Sequence, residues 1–104
     1  MYPPYARLAL VRIEGIDRRA VEEIAAESAS ALTRLARPEV VRVLGPAPAP
    51  IERLRNRYRW QVMLKSSARS EMRRVLEAAR LELAPLLERR DVRLSIDIDP
   101  VNML

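Results

Sequence analysis

The sequence predicts an α+β fold of the ferredoxin-like kind, a split βαβ unit in which two helices cover one face of a four-stranded antiparallel sheet. Two stretches carry apolar residues at helical spacing, two alternate between apolar and polar residues, and two short β-compatible runs end at the only two glycines. Their order along the chain is β-α-β-β-α-β. The 104 residues fit one domain, which we expect to span residues 1–104.

The first strand and the first helix are predicted from the N-terminal third of the chain. Residues 8–14 form a short apolar run that ends at Gly15. Asp17 is a favourable N-cap, and apolar residues at helical spacing predict a helix that ends before Pro38. The inward stripe of this helix is Val21, Ile24, Ala25, Ser28, Ala31, Leu32 and Leu35.

The middle of the chain predicts two further strands. Residues 40–44 are a β-branched run closed by Gly45, and we expect the proline-rich residues 46–50 to form a stiff connector rather than a polyproline ligand. Residues 55–64 alternate most clearly, which predicts a strand with two different faces. The face expected under the helices is Tyr58, Trp60, Val62 and Leu64. The face expected to be free of helices is Arg57, Arg59, Gln61 and Met63.

Trp60 is the only tryptophan, and its place in the alternation predicts a role in the core. We expect its indole N–H to find one hydrogen-bond partner there. The alternative, in which Tyr58 and Trp60 stack on nucleic-acid bases, is disfavoured by the same alternation.

The last third of the chain predicts a helix and a strand. Ser66 and Ser67 offer N-caps for a helix that Pro85 should kink or break. The inward stripe of that helix is Met72, Val75, Leu76, Ala79 and Leu83. Residues 92–99 alternate and stop at Pro100, which predicts a half-buried strand.

Two acidic residues on this strand, Asp97 and Asp99, could indicate acid–base catalysis or a cation-binding site. Arg93 lies close to them in the sequence. We therefore expect surface ion pairs with Arg93 instead.

Several functional classes are excluded by what the sequence lacks. Cysteine and histidine are both absent, which removes thiol nucleophiles, imidazole bases, disulfides and the usual zinc ligands. We expect no metal and no cofactor. No Walker loop or nucleophile–base pair occurs, so we expect no enzymatic activity of the chain by itself. The sequence has no long apolar run and does not begin with the charged-then-apolar pattern of a secretory signal peptide. We therefore expect a cytoplasmic protein that does not contact membranes.

The net charge of +5 is concentrated in one segment. Residues 51–74 hold eight Lys or Arg against two Glu, whereas the rest of the chain holds eleven basic and twelve acidic residues. Such an excess attracts phosphate backbones or acidic peptides, although arginines can also be simply solvated. The candidate phosphate-binding residues are Arg53, Arg55, Arg59, Lys65, Arg69, Arg73 and Arg74, expected along one edge of the domain.

Short motifs in order along the chain resemble one known family. They are YPPY at residues 2–5 followed by RLA at 7–9, VLGPAPAP at 43–50, and RYRWQ at 57–61 with a closing DIDP at 97–100. Together they resemble the C-terminal domain of PriA, the primosomal protein N′ or bacterial replication-restart helicase. The helicase lobes, the zinc-binding insertion and the N-terminal DNA-binding domain of that family have no counterpart here. We therefore expect an excised piece of a longer helicase.

The resemblance implies a non-catalytic binding module. Its partners would be forked or single-stranded DNA and the acidic, Phe-ended tail of single-stranded DNA-binding protein, bound at a pocket shared with the helicase core of the same polypeptide. The family positions that match this pocket are Arg57 and Gln61, with Arg59 between them. An Arg fork holds a carboxylate well, and a Gln amide pairs with peptide groups.

Two alternatives remain open at the level of sequence. One is an independent ferredoxin-like protein that binds RNA or ribosomes. The other is an acylphosphatase-like enzyme, for which the single glycine of residues 15–17 offers a poor phosphate loop.

Overall fold

The computed structural model describes residues 7–99. The YPPY motif at residues 2–5 and the strand stop at Pro100 lie outside this part of the chain. The described elements follow the predicted order. They are β1 (Arg7–Gly15), α1 (Arg18–Leu35), β2 (Val41–Leu54), β3 (Arg57–Ser66), α2 (Arg69–Arg90) and β4 (Arg93–Ile98).

The four strands form one antiparallel sheet in the order β2-β3-β1-β4. Both helices pack on the same face, because the buried stripes of α1 and α2 join one core with the inward residues of β1 and β3. The predicted ferredoxin-like architecture is confirmed. The core is aliphatic, with Ile13, Ile24 and Leu64 each fully buried.

Helix α1 begins and packs as its sequence predicts. The Asp17 carboxylate accepts hydrogen bonds from the backbone N–H groups of Arg19 at 3.0 Å and Ala20 at 3.4 Å, which satisfies two otherwise unpaired donors of the first turn. The predicted inward stripe is buried apart from Leu35, which is half-buried at the helix end.

The proline-rich segment is part of β2 and not a connector, so this prediction was wrong. β2 continues through residues 46–50 to Leu54, with register shifts against β3 between Leu44 and Ala47 and between Pro48 and Arg53. The physical reason is that β2 is an edge strand. A proline there can leave its missing N–H on the side without a neighbouring strand, and bulges absorb the irregular pairing.

A two-residue turn joins β2 to β3. Arg55 and Asn56 both have positive φ, 53° and 63°, as the type I′ turn of a tight hairpin requires. The strand predicted from residue 55 therefore starts two residues later, at Arg57. The basic residues of this segment are thus divided between a turn and a strand.

Helix α2 departs from the sequence predictions at its start and in its middle. Its N-cap is Ala68, which makes no side-chain cap bond, while the predicted cap Ser66 ends β3 and bonds to the backbone of Ala68 through its Oγ. Pro85 does not break the helix, which continues to Arg90. Pro85 and the residue one turn before it, Leu81, both face solvent, so water can hydrate the carbonyl that the proline leaves unpaired.

Within residues 7–99, neither helix combines the length and apolar character that a bilayer span requires. The predicted inward stripe of α2 is buried throughout. On β4, Leu94, Ile96 and Ile98 pack against the core, as the alternation predicts.

Candidate functional site

The orientation of β3 decides which side chains the domain offers to partners. Val62 and Leu64 are fully buried beneath the helices, and Tyr58 and Trp60 are half-buried against the same core. The predicted alternation is therefore confirmed. The intervening side chains, those of Arg57, Arg59, Gln61 and Met63, emerge on the opposite face of the sheet, which we call the helix-free face.

The register of the sheet arranges the helix-free face in cross-strand rows. One row runs Arg59, Glu14 and Arg93 across β3, β1 and β4. The next row is Gln61, Arg12 and Ser95. A third row, of Leu44, Met63, Leu10 and Asp97, is mainly apolar. Cations, an amide and an apolar strip therefore lie next to one another.

Glu14 is the acid among these arginines. Its Oε2 lies 3.8 Å from Nε of Arg57, and its Oε1 lies 3.8 Å from a terminal nitrogen of Arg93. Both separations are too long for hydrogen bonds, so the attraction is Coulombic. The side chains are 27% exposed for Glu14, 35% for Arg57 and 68% for Arg93. Water therefore weakens both pairs.

Two polar atoms of the predicted pocket lack hydrogen-bond partners in the described structure. They are Nε of Arg57, a donor, and Oε1 of Gln61, an acceptor, and both are buried. An unsatisfied buried polar atom costs about 1–3 kcal/mol, which a ligand could recover by bonding to it. A carboxylate suits the donor and a peptide N–H suits the acceptor. The third predicted member, Arg59, donates to the Ile51 carbonyl at 3.4 Å.

The predicted phosphate-binding residues do not lie along one edge. Arg53 and Arg55 lie at the β2–β3 turn, whereas Lys65, Arg69 and Arg73 lie where β3 leads into α2. The length of β3 separates the two groups by roughly 30 Å at about 3.3 Å per residue. The candidate phosphate-binding residues therefore form two separate groups, because the hairpin turn lies at one end of β3 and the start of α2 at the other.

The turn group surrounds an aromatic ring. The Arg53 guanidinium lies 5.3 Å from the ring centre of Tyr58, and that of Arg18 lies 6.0 Å from it. Arg53 also donates to the Asn56 side chain at 3.0 Å. Arg55 is exposed in the turn itself. Arg18 is a cation of this group that the sequence alone did not indicate, because α1 brings it to the hairpin.

The group near α2 contains one arginine that is already engaged. Arg74 donates from Nε and a terminal nitrogen to the two carboxylate oxygens of Glu71, at 2.9 and 2.6 Å, and from that terminal nitrogen to the Leu35 carbonyl at 2.9 Å. These hydrogen bonds lower the pKa of Glu71. Arg69 and Arg73 are exposed, and Lys65 is half-buried. Arg74 is thus the least available of the four to a ligand.

The two acidic residues of the β4 region form surface ion pairs, but not with Arg93. Asp97 pairs with Arg12 at 3.2 Å, and Asp99 pairs with Arg7 at 2.9 Å. A hydrogen bond from the Leu8 backbone N–H, aided by Arg7, lowers the pKa of Asp99. No group of three His, Cys, Asp or Glu that could hold a metal ion occurs among residues 7–99.

Trp60 has the partner predicted for it. Its indole N–H donates to Glu52 at 3.3 Å, and its ring packs against the core from a half-buried position. Its ring is therefore engaged by the domain itself.

Sequence reasoning missed Glu14 and Arg93 as members of the helix-free face near Arg57. The signal that could have found them is the strand order of the ferredoxin-like fold, which places β1 between β3 and β4. Alternation along β1 and β4 then brings Glu14 and Arg93 into one row with Arg59.

The sequence matches the family described as the Primosomal protein N C-terminal domain over residues 1–101. It is 36% identical over 102 residues to the replication restart protein PriA of Synechocystis sp., covering 98% of this chain and 12% of that protein. It is 29% identical over 103 residues to the replication restart protein PriA of Bacillus subtilis, covering 99% of this chain and 13% of that protein. The chain therefore spans only 12–13% of the length of these two relatives.

Solved structures share the fold. A de novo designed protein, Foldit4, superposes with a TM-score of 0.66 at 11% identity, covering 92% of this chain and 98% of that one. A hydantoinase/carbamoylase family amidase from Burkholderia ambifaria gives a TM-score of 0.58 at 18% identity, covering 88% of this chain and 27% of that one. Identities this low show the fold alone. The family match confirms the resemblance inferred from the short motifs: the chain belongs to the family of C-terminal domains of primosomal protein N, the replication restart protein PriA.

Proposed function

We propose that the chain is a non-catalytic binding module of a replication-restart helicase and that it docks the acidic C-terminal tail of single-stranded DNA-binding protein. Residues 1–104 would form one domain at the C-terminal end of the longer helicase, which works on DNA in the cytoplasm. The observation that carries the proposal is the emergence of Arg57, Arg59 and Gln61 together on the helix-free face. Family membership supports the helicase context.

The chemistry of the three side chains suits a peptide that ends in a carboxylate. Nε of Arg57 is a buried donor without a hydrogen bond, and a carboxylate can accept two parallel bonds from a guanidinium. The Oε1 atom of Gln61 can accept a bond from a peptide N–H of the same tail. Arg59 lies between them in sequence and adds long-range attraction for acidic residues.

Two residues of the neighbouring apolar row, Leu44 and Met63, offer a surface for the terminal aromatic side chain of the tail, whereas Leu10 in the same row is fully buried. Leu44 and Met63 are half-buried and lie across the strands from each other, one row away from Gln61. Successive rows on one face are about 6.6 Å apart, so the apolar row adjoins Gln61 but lies about 20 Å along β3 from Arg57. Apolar contact and ionic contact would then come from different residues of an extended tail.

We expect the chain by itself to bind the tail weakly. The family pocket is shared with the helicase core, so this chain would supply only part of the contacts. A millimolar dissociation constant corresponds to about −4 kcal/mol, which a few polar contacts and one aromatic side chain can supply.

The peptide proposal is tested by titrating the ¹⁵N-labelled chain with a synthetic acidic tail peptide ending in Phe, up to several times the dissociation constant. We expect saturable shifts centred on Arg57, Gln61 and Met63. The variants Arg57→Ala and Gln61→Ala should each weaken binding at least fivefold, whereas Arg89→Ala, which removes an exposed arginine at the end of α2, should not. Shifts confined to the helices, or equal losses in all three variants, would contradict the proposal.

We also propose that the two basic groups contribute to DNA binding. Arg53 and Arg55 at the turn, and Lys65, Arg69 and Arg73 near α2, would each contact phosphates, with Arg59 and Arg74 in minor roles. Two separated groups would touch a fork at two places, which suits DNA that changes direction at a junction. Phosphate contacts of this kind carry no sequence information.

The DNA proposal predicts a salt dependence. If each of these five residues neutralises one phosphate, the logarithm of the affinity should fall with the logarithm of salt concentration at a slope of about −4 to −5. Fluorescence anisotropy on forked DNA measures this slope. A double variant, Arg53→Ala with Arg55→Ala, should reduce the slope by about two, and Arg89→Ala by less than one. An unchanged slope in the double variant would show that Arg53 and Arg55 do not contact the DNA phosphates.

A further inference from the structure

We propose that Glu14 acts as an internal anion that occupies the arginine cluster of the unbound domain, and that an acidic peptide displaces it and recruits Arg93 as an additional cation. The arginine cluster is Arg57, Arg59 and Arg93. This inference rests on the proposed docking function and goes beyond it, because it assigns binding roles to Glu14 and Arg93.

The position of Glu14 is the first observation. Its two carboxylate oxygens face two different arginines, Arg57 on β3 and Arg93 on β4, at 3.8 Å each. The third arginine, Arg59, is its direct cross-strand partner. A carboxylate that faces two guanidinium groups, with a third arginine on the adjacent strand, occupies the place that an anionic ligand would take.

The length of these contacts is the second observation. At 3.8 Å neither pair is a hydrogen bond, and Nε of Arg57 remains buried without a hydrogen-bond partner in the described structure. Glu14 shares its carboxylate between Arg57 and Arg93 and forms a hydrogen bond with neither. An incoming carboxylate that faces Arg57 alone can form the shorter bidentate contact that Arg57 lacks. Exchange of Glu14 for the ligand therefore improves the bonding of Arg57.

Arg93 is placed to follow the ligand. It lies on the edge strand β4, and its side chain is 68% exposed, twice as much as that of Arg57. Its only described ion pair is the long one with Glu14. When Glu14 no longer competes, the Arg93 side chain can turn toward an acidic residue that precedes the terminal carboxylate of the peptide. Arg93 would thus favour tails with acidic residues before their end.

An acidic peptide fits this surface better than a nucleic acid does. The row of Gln61 lies between the arginine cluster and an apolar row that contains Met63, so a ligand that spans all three combines a carboxylate with an apolar group. The buried acceptor of Gln61 needs an N–H donor, which a peptide backbone supplies at every residue other than proline and a phosphate chain does not.

The experiment measures tail-peptide affinity for charge variants by NMR titration of the whole chain. Glu14→Gln removes the internal anion and should tighten binding about three- to tenfold, the change expected from loss of two weak competing ion pairs. Glu27→Gln makes the same charge change at an exposed position on α1 and should alter the affinity less than twofold. Glu14→Asp keeps the charge but withdraws the carboxylate by one methylene group, so its affinity should lie between those of the unaltered chain and Glu14→Gln.

Arg93→Ala should weaken binding of the peptide about threefold, and Arg89→Ala should not. In addition, a peptide whose penultimate acidic residues are replaced by Asn or Gln should bind equally well to the Arg93→Ala variant and the unaltered chain. This second comparison separates a direct contact of Arg93 with the peptide from a general change of net charge.

Several outcomes would overturn the inference. If Glu14→Gln weakens binding, Glu14 positions Arg57 and does not compete with the ligand. If Glu14→Gln and Glu27→Gln tighten binding equally, only net charge matters. If Glu14→Gln tightens binding of single-stranded DNA as much as that of the peptide, the cluster is a nucleic-acid surface. If no variant and not even the unaltered chain binds the peptide, the proposed docking function fails first.

Discussion

The two faces of β3 differ in burial, so alanine variants of the adjacent residues Met63 and Leu64 should lose different amounts of stability. Leu64 is fully buried in the core, and its neighbour Met63 is half-buried on the helix-free face. Leu64→Ala removes three carbon atoms, a transfer loss of about 2 kcal/mol, and leaves a cavity among the packed side chains that adds about 1 kcal/mol. Met63→Ala opens onto solvent, so we expect a loss of only about 1 kcal/mol.

Urea denaturation followed by the fluorescence of Trp60, the only tryptophan, gives the free energy of unfolding of both variants. We expect the midpoint of Leu64→Ala to fall about three times as far as that of Met63→Ala, with an unchanged slope against urea. Equal losses, or a larger loss in Met63→Ala, would refute the assignment of the two faces and, with it, the surface proposed for the tail.

Three further perturbations test local features of the fold. Gly45→Ala should cost at least about 1 kcal/mol by thermal melting, because φ is +109° and the added methyl carbon would lie 3.2 Å from a backbone oxygen of β3. Asp17→Ala should cost about 1 kcal/mol through loss of the α1 cap. The pKa of Asp99 is lowered from 3.8, so its stabilising effect is complete above the unfolded pKa and is lost as pH falls through the folded pKa. The stability difference from Asp99→Asn should therefore shrink as pH falls below about 4, and a constant difference would contradict the pKa shift.

Local periodicity was enough to predict most of the fold. The alternation along β3 and β4 and the stripes of both helices depend on residues two to four positions apart, so they are visible in the sequence itself. The same alternation predicts that Arg57 and Gln61 lie on the helix-free face. The N-cap at Asp17 is equally local.

Features that depend on distant parts of the chain were not predicted. The prolines of residues 46–50 are compatible with a strand only because β2 lies at the edge of the sheet, which is a property of the strand order. The turn at Arg55 could be suspected only from Asn56, since an arginine with positive φ has no sequence signal. The ion pairs of Glu14 depend on a register that joins three strands.

A spin label on the peptide shows whether the acidic tail lies on the helix-free face of the sheet. A nitroxide attached near the Phe end of the peptide broadens nearby methyl signals of a ¹³C-methyl-labelled chain. We predict stronger broadening of Met63 and Leu44 than of Val21 and Ile24, which are buried under α1 on the other side of the sheet. Broadening of the α1 methyl groups with Met63 unaffected would contradict the account.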